Sequence, residues 1–488
     1  MRLLVVLILL LTVTMMSAAQ IVIDVVYPRF DGEGNPPRIG RVDSTFVFGS
    51  VKPVTCPVMV NGVGAEVYAN GAFIAWVPVD YDNNNFRVTA CSGTEEAEVI
   101  VPFELYPETT PGSIETDFPV MVETVSAHTV MRYSANYGVY YLFPVKGASC
   151  TAIGSQDNFY QVQLSDNETV WVEDRFVEER PEIEIQPVKR VFKVLADDHA
   201  GEVRVTIPCE SFPVHRVIEG TDPSRLELHL YGLESHIDVI RNRTEYIREL
   251  RWEQVDPQTL SLTIFFDSPR LWGYKAEFDE AGNFVFIVFK PPELSLKGFK
   301  VAVDAGHGGD QFGAIGPTRL AEKEINLTLA MQLKNLLEKK GAEVLMTRTA
   351  DVTAGLYDRM EMADGWGADI FVSIHHNAMA DGVNPYSRRG LGVYYYHPHS
   401  ADLGREIHRE LLERTGLFND GFYYGNLAVP RTTYMPSVLI EAAYIMLPEE
   451  EMKLRDPVFQ KKIVRGIFEG IKSFVKAASQ EADSPQRH

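Results

Sequence analysis

The sequence predicts a multidomain protein in which three small all-β modules, of the sandwich or barrel type, precede a C-terminal α/β domain with a mostly parallel sheet and helices on both faces. Up to about residue 290, short alternating runs lie between turn signals such as Asn61-Gly62, which is typical of antiparallel β structure. After Pro291-Pro292, apolar strands alternate with segments of helical periodicity, which is typical of a parallel sheet covered by helices. The length of 488 residues also requires more than one core.

Two segments, residues 108–113 (ETTPGS) and 181–187 (PEIEIQP), are typical of linkers and divide the β-rich part. The expected units are β modules at 20–107, 114–180 and 188–292, a C-terminal domain at 298–477 and a disordered tail at 478–488.

The chain begins with the pattern of a secretory signal peptide. Arg2 precedes an apolar run at 3–13, and Ser17-Ala18-Ala19 provides small residues before the expected cut after Ala19. The run is shorter than the roughly 20 residues that cross a bilayer, and no later segment is apolar enough to span one. We therefore expect residues 1–19 to be removed and the mature protein to lie outside the cytoplasm, in the periplasm, the cell envelope or the medium.

The net charge of the chain excludes some classes of binding partner. The formal charge of −21 argues against nucleic acid or an anionic membrane as a partner.

Four cysteines are few for a long secreted chain, so disulfides are not its main source of stability. Cys56 and Cys91 fall in one module and either pair or remain thiols, whereas Cys150 and Cys209 fall in separate modules and are expected to be buried thiols.

Chemically useful side chains follow the strands of the C-terminal domain. His307 lies in a Gly-His-Gly-Gly turn after one strand, while His375 and Glu441 each end an apolar run and Glu322 begins a helical pattern. Ligand sites in parallel sheets gather at the carboxyl ends of the strands. The strands are expected at 300–304, 343–347, 370–374, 392–396 and 438–440, and the helices at 322–340, 356–363, 403–415 and 459–475.

These four side chains predict a catalytic metal centre. A catalytic zinc takes three protein ligands, a count that His307, Glu322 and His375 meet, and a nearby carboxylate such as Glu441 can accept a proton from an activated water. Each residue also has a structural interpretation. The histidine could be part of a plain turn, Glu322 could favour the helix dipole, His375 could pair at a strand end with His376, and Glu441 could be a buried ion-pair partner.

The ordered motifs closely resemble those of the zinc-dependent N-acetylmuramoyl-L-alanine amidases of the amidase-3 family. The resemblance covers residues 300–475, and it implies one zinc ion held by His307, Glu322 and His375, with Glu441 as the catalytic glutamate. It also implies that His375 rather than His376 is the ligand, and that Thr347, Arg348, Asp351 and Arg359 are structural. The matching motifs are 304–309 (DAGHGG), 322–327 (EKEINL), 373–377 (SIHHN) and 436–441 (PSVLIE).

The chain departs from the family pattern in two places. After Glu441 the family has a glycine, an aromatic residue and Ser-Asn, whereas this chain has Ala443, Tyr444 and Met446-Leu447. Some members insert a regulatory helix after the second histidine motif, but residues 379–389 are too few for one. We therefore expect an unblocked site with an altered neighbouring loop.

The β modules carry weaker resemblances. The strands at 46–50, 57–60, 72–76 and 86–90 are similar to a bacterial immunoglobulin-like module, and the aromatic strands at 140–147 and 158–164 resemble a bacterial SH3-like barrel. The third module, by its position and β content, resembles the AMIN-type modules that precede some cell-wall amidases.

Together these resemblances imply a secreted hydrolase that cleaves the amide between N-acetylmuramic acid and the L-alanine of the peptidoglycan stem peptide. Peptidoglycan is then the expected partner, together with an unidentified envelope activator or scaffold protein. One alternative is a non-catalytic wall-binding or scaffolding protein with a degenerate amidase domain. Another is a zinc peptidase that acts on a different peptidoglycan amide.

Overall fold

The computed structural model describes residues 20–30, 34–106, 113–136, 138–183, 188–209 and 212–482. The signal peptide expected at 1–19, most of the first linker, the end of the second linker and the last six residues lie outside the described residues. Three β-rich modules precede a C-terminal domain that contains helices. We refer to module 1 (residues 20–106), module 2 (113–183), module 3 (188–290) and the C-terminal domain (299–482).

Module 1 consists of two four-stranded antiparallel sheets that share one apolar core. The sheet orders are β1-β3-β7-β6 and β5-β4-β8-β9, and β2 pairs in parallel with β10. Its strands are β1 (Val22–Tyr27), β2 (Arg38–Ile39), β3 (Ser44–Lys52), β4 (Val58–Val60), β5 (Val63–Gly64), β6 (Glu66–Val67), β7 (Ala72–Pro78), β8 (Asn85–Ser92), β9 (Glu95–Pro102) and β10 (Glu104–Leu105). Cys56 is buried, Cys91 is exposed, and the two form no disulfide.

Module 2 contains one antiparallel sheet of seven strands in the order β13-β12-β16-β15-β14-β11-β17. Alternate residues of β15 and β16, such as Val162 and Val170, form its core, which also receives Val214 and Tyr231 from module 3. Its strands are β11 (Val120–Thr124), β12 (Met131–Arg132), β13 (Tyr140–Leu142), β14 (Ser149–Gln156), β15 (Phe159–Ser165), β16 (Glu168–Glu173) and β17 (Val177–Glu179).

Module 3 contains a five-stranded sheet, β22-β18-β19-β26-β25, and a four-stranded sheet, β20-β21-β24-β23. Residues 284–288 of β26 are buried on both faces, in keeping with their nearly continuous apolar sequence. The strands are β18 (Lys189–His199), β19 (Glu202–Ile207), β20 (His215–Thr221), β21 (Ser224–Tyr231), β22 (Leu233–Arg243), β23 (Ile247–Asp256), β24 (Thr259–Phe266), β25 (Gly273–Phe278) and β26 (Phe284–Phe289).

The C-terminal domain is built on a six-stranded sheet in the order β28-β27-β29-β32-β30-β31, in which β30 runs antiparallel to β32 and the other pairings are parallel. Its strands are β27 (Lys300–Ala305), β28 (Glu343–Met346), β29 (Ile370–Asn377), β30 (Leu391–Tyr395), β31 (Asn419–Tyr424) and β32 (Ser437–Tyr444). Its helices are α1 (Glu322–Lys339), α2 (Asp358–Trp366), α3 (Ala401–Thr415), α4 (Pro448–Arg455) and α5 (Pro457–Ala482).

The alternation of side chains along β27 explains the layers of this domain. Val301 and Val303 point into the large core that includes residues of α1, α3 and α5, whereas Ala302 packs with Ala363 of α2 on the other face. The carboxyl ends of β27, β29 and β32 meet at one edge of the sheet because these strands are parallel. That edge is where side chains that follow the three strands can converge.

Residues 478–482, which the sequence assigned to a disordered tail, are helical. Helix α5 continues to Ala482. Ala478 is buried in the core of the domain, and Glu481 makes two hydrogen bonds with Arg270 of module 3, at 2.6 and 2.9 Å. These tertiary contacts extend the helix beyond the segment that periodicity alone marks.

Module 1 docks on the C-terminal domain. Val26, Phe46 and Phe48 share an apolar cluster with Met379 and Met446, which lie in the loops after β29 and β32. Among the helices of the described residues, none combines the length and apolar character needed to cross a membrane.

Candidate metal centre

Three predicted ligands come together at the carboxyl edge of the C-terminal sheet. His307 follows β27, His375 lies near the end of β29, and Glu322 is the first residue of α1. Glu322 Oε2 lies 3.1 Å from His307 Nε2, and Glu322 Oε1 lies 3.0 Å from His375 Nδ1. One ligand atom from each residue falls within 4.8 Å of the other two, so the three residues can hold one metal ion.

The Glu322 carboxylate is held by the surrounding backbone as well as by the two imidazoles. The backbone N–H groups of Ala314 and His376 donate to it at 2.8 and 3.0 Å, and Asn326 Nδ2 donates at 3.3 Å. Burial opposes its ionisation, but hydrogen bonds with His307 and His375 keep the pKa of Glu322 well below its ordinary value. The residue is therefore an anion in a fixed position, which suits a metal ligand.

Glycines leave the space that this cluster occupies. A Cβ at Gly306 would lie 2.2 Å from His375 Cε1, and a Cβ at Gly313 would lie 2.3 Å from Glu322 Oε2. His307 itself adopts a left-handed conformation, with φ of 62°, which turns its ring back toward the sheet edge. The glycines of the His307 turn and its following loop thus allow the ligands to approach one another.

A buried polar network fixes the His307 turn. Asp304 is fully buried and accepts hydrogen bonds from Thr347 Oγ1, Ser373 Oγ and Arg359, each at 2.6 Å. Although burial disfavours its charge, Arg359 holds the pKa of Asp304 below the usual value. Arg359 also donates to the His307 carbonyl oxygen at 2.9 Å, and Arg348 donates to that of Gly306 at 3.1 Å.

Glu441 lies on β32 directly opposite His375 in the parallel register. Its Oε2 atom is buried and has no hydrogen-bond partner among the described residues. Burial raises the pKa of the Glu441 carboxyl to about 8, against the effect of His375, which lowers it. An unpaired buried carboxylate oxygen beside a ligand cluster is free to exchange a proton with a bound molecule.

His376 points away from the cluster. Its Nδ1 atom lies 2.7 Å from Asn326 Oδ1, and burial lowers the pKa of its imidazole to about 4. Asn326, which sequence reasoning did not single out, links this ring to Glu322 and donates to the Gly306 carbonyl at 3.1 Å. Its spacing of four residues from Glu322 on α1 places both side chains on one helix face, and this signal is readable in the sequence.

The loops that differ from the expected family pattern contact module 1. Tyr444 donates through its hydroxyl to Asp420 at 3.0 Å, and Met446 packs with the aromatic residues of module 1.

Residues 378–390, all of them described, contain neither helix nor strand, and no inserted helix covers the cluster. The His307 side chain retains 31% exposure, so the centre is reachable from solvent.

The fold and the cluster define a candidate metal-dependent hydrolase centre, and comparison with known proteins identifies its family. A family model described as N-acetylmuramoyl-L-alanine amidase matches residues 301–473. The C-terminal domain belongs to this amidase-3 family, as its motifs predicted, and a β-rich region precedes it.

Individual relatives cover the same domain. The chain is 34% identical over 181 residues to the probable cell wall amidase LytH of Staphylococcus epidermidis, a match that covers 37% of this chain and 59% of that protein. Among solved structures, the catalytic domain of CwlV, an N-acetylmuramoyl-L-alanine amidase from Bacillus (Paenibacillus) polymyxa, is 34% identical, with 36% of this chain and 98% of that chain covered and a TM-score of 0.35. The amidase AmiC2 of Nostoc punctiforme is 32% identical, with 36% and 97% covered and a TM-score of 0.35.

Proposed function

We propose that this protein is a zinc-dependent peptidoglycan hydrolase that cleaves the amide bond between N-acetylmuramic acid and the L-alanine of the stem peptide. The observation that carries the proposal is the convergence of His307, Glu322 and His375 beside the unpaired Oε2 of Glu441. Membership of the C-terminal domain in the amidase family supports the choice of bond.

The donor set suits zinc. Two imidazole nitrogens and one carboxylate are ligands of catalytic zinc sites, and the separations of 3.0 and 3.1 Å between carboxylate and nitrogens are short enough for one ion to reach all three. When bound, zinc polarises a carbonyl group and lowers the pKa of water from about 15.7 to about 7.

Each residue of the site would then have a separate role. His307, Glu322 and His375 hold the ion, and Arg348 and Arg359 keep the His307 turn in place through its carbonyl groups. Glu441 Oε2 accepts a proton from the attacking water and delivers it to the departing nitrogen of L-alanine. Its unpaired position leaves this atom available for both transfers.

The signal-peptide pattern at residues 1–19 and the cell wall assignment of the Staphylococcus relative support an extracytoplasmic location. We further propose that modules 1, 2 and 3 are immunoglobulin-like, SH3-like and AMIN-like units that position the enzyme on the wall. Because the chain spans only 59% of the length of that relative, the role of the whole protein is inferred from the C-terminal domain and these modules.

Digestion of purified peptidoglycan by the full chain, with mass spectrometry of the products, tests this function. Intact stem peptides with a free L-alanine amino terminus, together with muramic acid bearing a free lactyl carboxyl group, are expected. Fragments cut within the stem peptide would instead identify a zinc peptidase. The absence of any product, with retained binding to the wall, would identify a scaffold.

A further inference from the structure

A second cluster of metal-ligating side chains lies between module 3 and the C-terminal domain. Glu219 comes from β20 of module 3, and His397 and His399 follow β30 of the C-terminal domain. Glu219 Oε1 lies 3.0 Å from His397 Nδ1, and Glu219 Oε2 lies 3.0 Å from His399 Nδ1. One ligand atom from each residue falls within 4.8 Å of the other two, the same criterion that the first cluster meets.

This cluster is separate from the candidate catalytic centre. Strand β30 runs antiparallel to β32, with Gly392 opposite Glu441, so β30 begins at the edge of the sheet that holds the first cluster. It ends at Tyr395, at the opposite edge, and both histidines of the second cluster follow that end. No residue is common to the two clusters.

We propose that Glu219, His397 and His399 form a second metal site, which takes a divalent transition ion such as zinc and joins module 3 to the C-terminal domain. The site would be structural, because its ligands are almost fully enclosed. The Glu219 and His399 side chains retain 2% and 0% exposure.

The hydrogen bonds of His397 favour a metal ligand. Its Nε2 lies 2.9 Å from the carbonyl oxygen of Arg431, which can only accept, so Nε2 carries the proton. In the neutral ring, Nδ1 then presents a lone pair toward the Glu219 carboxylate, and two acceptors at this distance repel each other unless a cation lies between them. An imidazole whose other nitrogen donates to a backbone carbonyl is the usual arrangement of a metal-bound histidine.

The competing explanation is an ion pair between two imidazolium ions and Glu219. The Nε2 atom of His399 is buried and has no hydrogen-bond partner among the described residues. This nitrogen carries a proton both in an imidazolium ion and in a neutral ring that ligates a metal through Nδ1, so its unsatisfied N–H group is common to the two explanations. The zinc content of the protein separates them.

Glu219 and its surroundings complete the site. The backbone N–H of His399 donates to Glu219 Oε2 at 3.1 Å, which orients the carboxylate. The Tyr274 hydroxyl lies 3.5 Å from His397 Nδ1 and is a candidate for a fourth position.

Zinc content of the purified full chain tests the proposal, and single-site variants separate it from the proposed function. After equilibration with zinc and removal of excess ion, elemental analysis should find two equivalents in the wild type. Glu219→Gln and His399→Ala should each retain one equivalent, bound at the first cluster. His375→Ala should also retain one, bound at the second. If only the first cluster fails to bind zinc, the proposed function fails while this proposal stands.

His229→Ala is the matched control, because His229 of module 3 also contacts a glutamate, Glu227, at 2.6 Å but belongs to no ligand group of three in the described part of the chain. It should retain two equivalents.

Should a variant not fold, an anomalous difference map at the zinc absorption edge from wild-type crystals shows directly whether zinc occupies the second cluster. A peak between Glu219, His397 and His399 is expected. A wild type whose single equivalent is lost in His375→Ala, a Glu219→Gln variant that keeps two equivalents, or a map without this peak would overturn the site in favour of an ion pair.

Discussion

At the scale of single residues, the proposed function depends on where one carboxylate oxygen lies. Glu441 Oε2 has no partner among the described residues although it is buried, whereas Glu322, a proposed ligand, is held by several donors. The two glutamates thus have different environments within one site. That difference supports the proposed roles, metal binding by Glu322 and proton transfer by Glu441.

Replacement of Glu441 by Gln should lower turnover by on the order of 10²- to 10⁴-fold, because the amide cannot accept the proton of the attacking water. Metal content and unfolding temperature should not change, since Gln has nearly the same shape. Release of stem peptides and zinc content are measured on the same preparation. Glu324→Gln, on the first turn of the same α1 helix that begins at Glu322, is the control. Wild-type turnover in the Glu441 variant would remove the residue from the mechanism.

His215 is buried in module 3 against Phe284, with its Nδ1 unpaired in the described structure. Burial lowers the pKa of its imidazole from 6.5 to about 4. The neutral ring therefore stabilises the fold fully above pH 6.5, and this stability is lost as the pH falls through about 4. Each pKa unit corresponds to about 1.4 kcal/mol, so the total is about 3 kcal/mol.

Calorimetric unfolding of the full chain between pH 7 and pH 4 measures this effect. His215→Phe should lose less stability on acidification than the wild type, and His236→Phe, at an exposed position of the same module, should behave like the wild type. Parallel pH profiles for wild type and His215→Phe would contradict the assignment.

At the scale of elements, the strand ends of the C-terminal domain place the proposed ligands, and buried polar contacts fix them. The apolar strands and the order of the motifs could be predicted from the sequence because strand periodicity is local. Strand β31 and helix α4 were not predicted. Strand β31 is only partly buried, and the acidic first turn of α4 lacks an apolar stripe.

Arg359→Met tests the role of the buried pair that supports the His307 turn. The change leaves the Asp304 carboxylate, which is fully buried, without its cation, and should cost about 3–5 kcal/mol of unfolding free energy. Lys334→Met removes an exposed pair with Glu338 on α1 and should cost no more than about 1 kcal/mol. Denaturant unfolding of both variants provides the comparison, and equal small losses would show that the pair is dispensable.

At the scale of the whole molecule, modules that are distant in sequence meet on the C-terminal domain. Glu219 of β20 reaches His397 and His399, and Asp381 of the loop after β29 reaches into module 1. Neither contact could be predicted from the sequence, because hydrophobic periodicity describes neighbouring residues in one element and not residues on different modules. The contact with module 1, by contrast, explains the departures from the family pattern after Glu441, because Met446 packs against that module.

Asp381→Ala should loosen the docking of module 1. The Asp381 carboxylate accepts hydrogen bonds from the Tyr27 hydroxyl, from Gly40 N–H at 3.0 Å and from Thr45 Oγ1 at 3.1 Å. Hydrogen bonds to a charged group contribute about 1.5–3 kcal/mol each. Small-angle X-ray scattering should show a larger radius of gyration for this variant. Asp24→Ala, which removes only the exposed pair with Arg319, should change it much less. An unchanged radius for Asp381→Ala would contradict docking through this carboxylate.

Removal and restoration of zinc show whether a metal held by His307, Glu322 and His375 is needed to release stem peptides. The full chain is stripped with a chelator, dialysed, and incubated with purified peptidoglycan before and after zinc addition, and released peptides are identified by mass spectrometry. Release should be absent from the stripped protein and should return with zinc in the wild type but not in His307→Ala. Undiminished release by the metal-free wild type, or zinc-restored release by His307→Ala, would contradict the account.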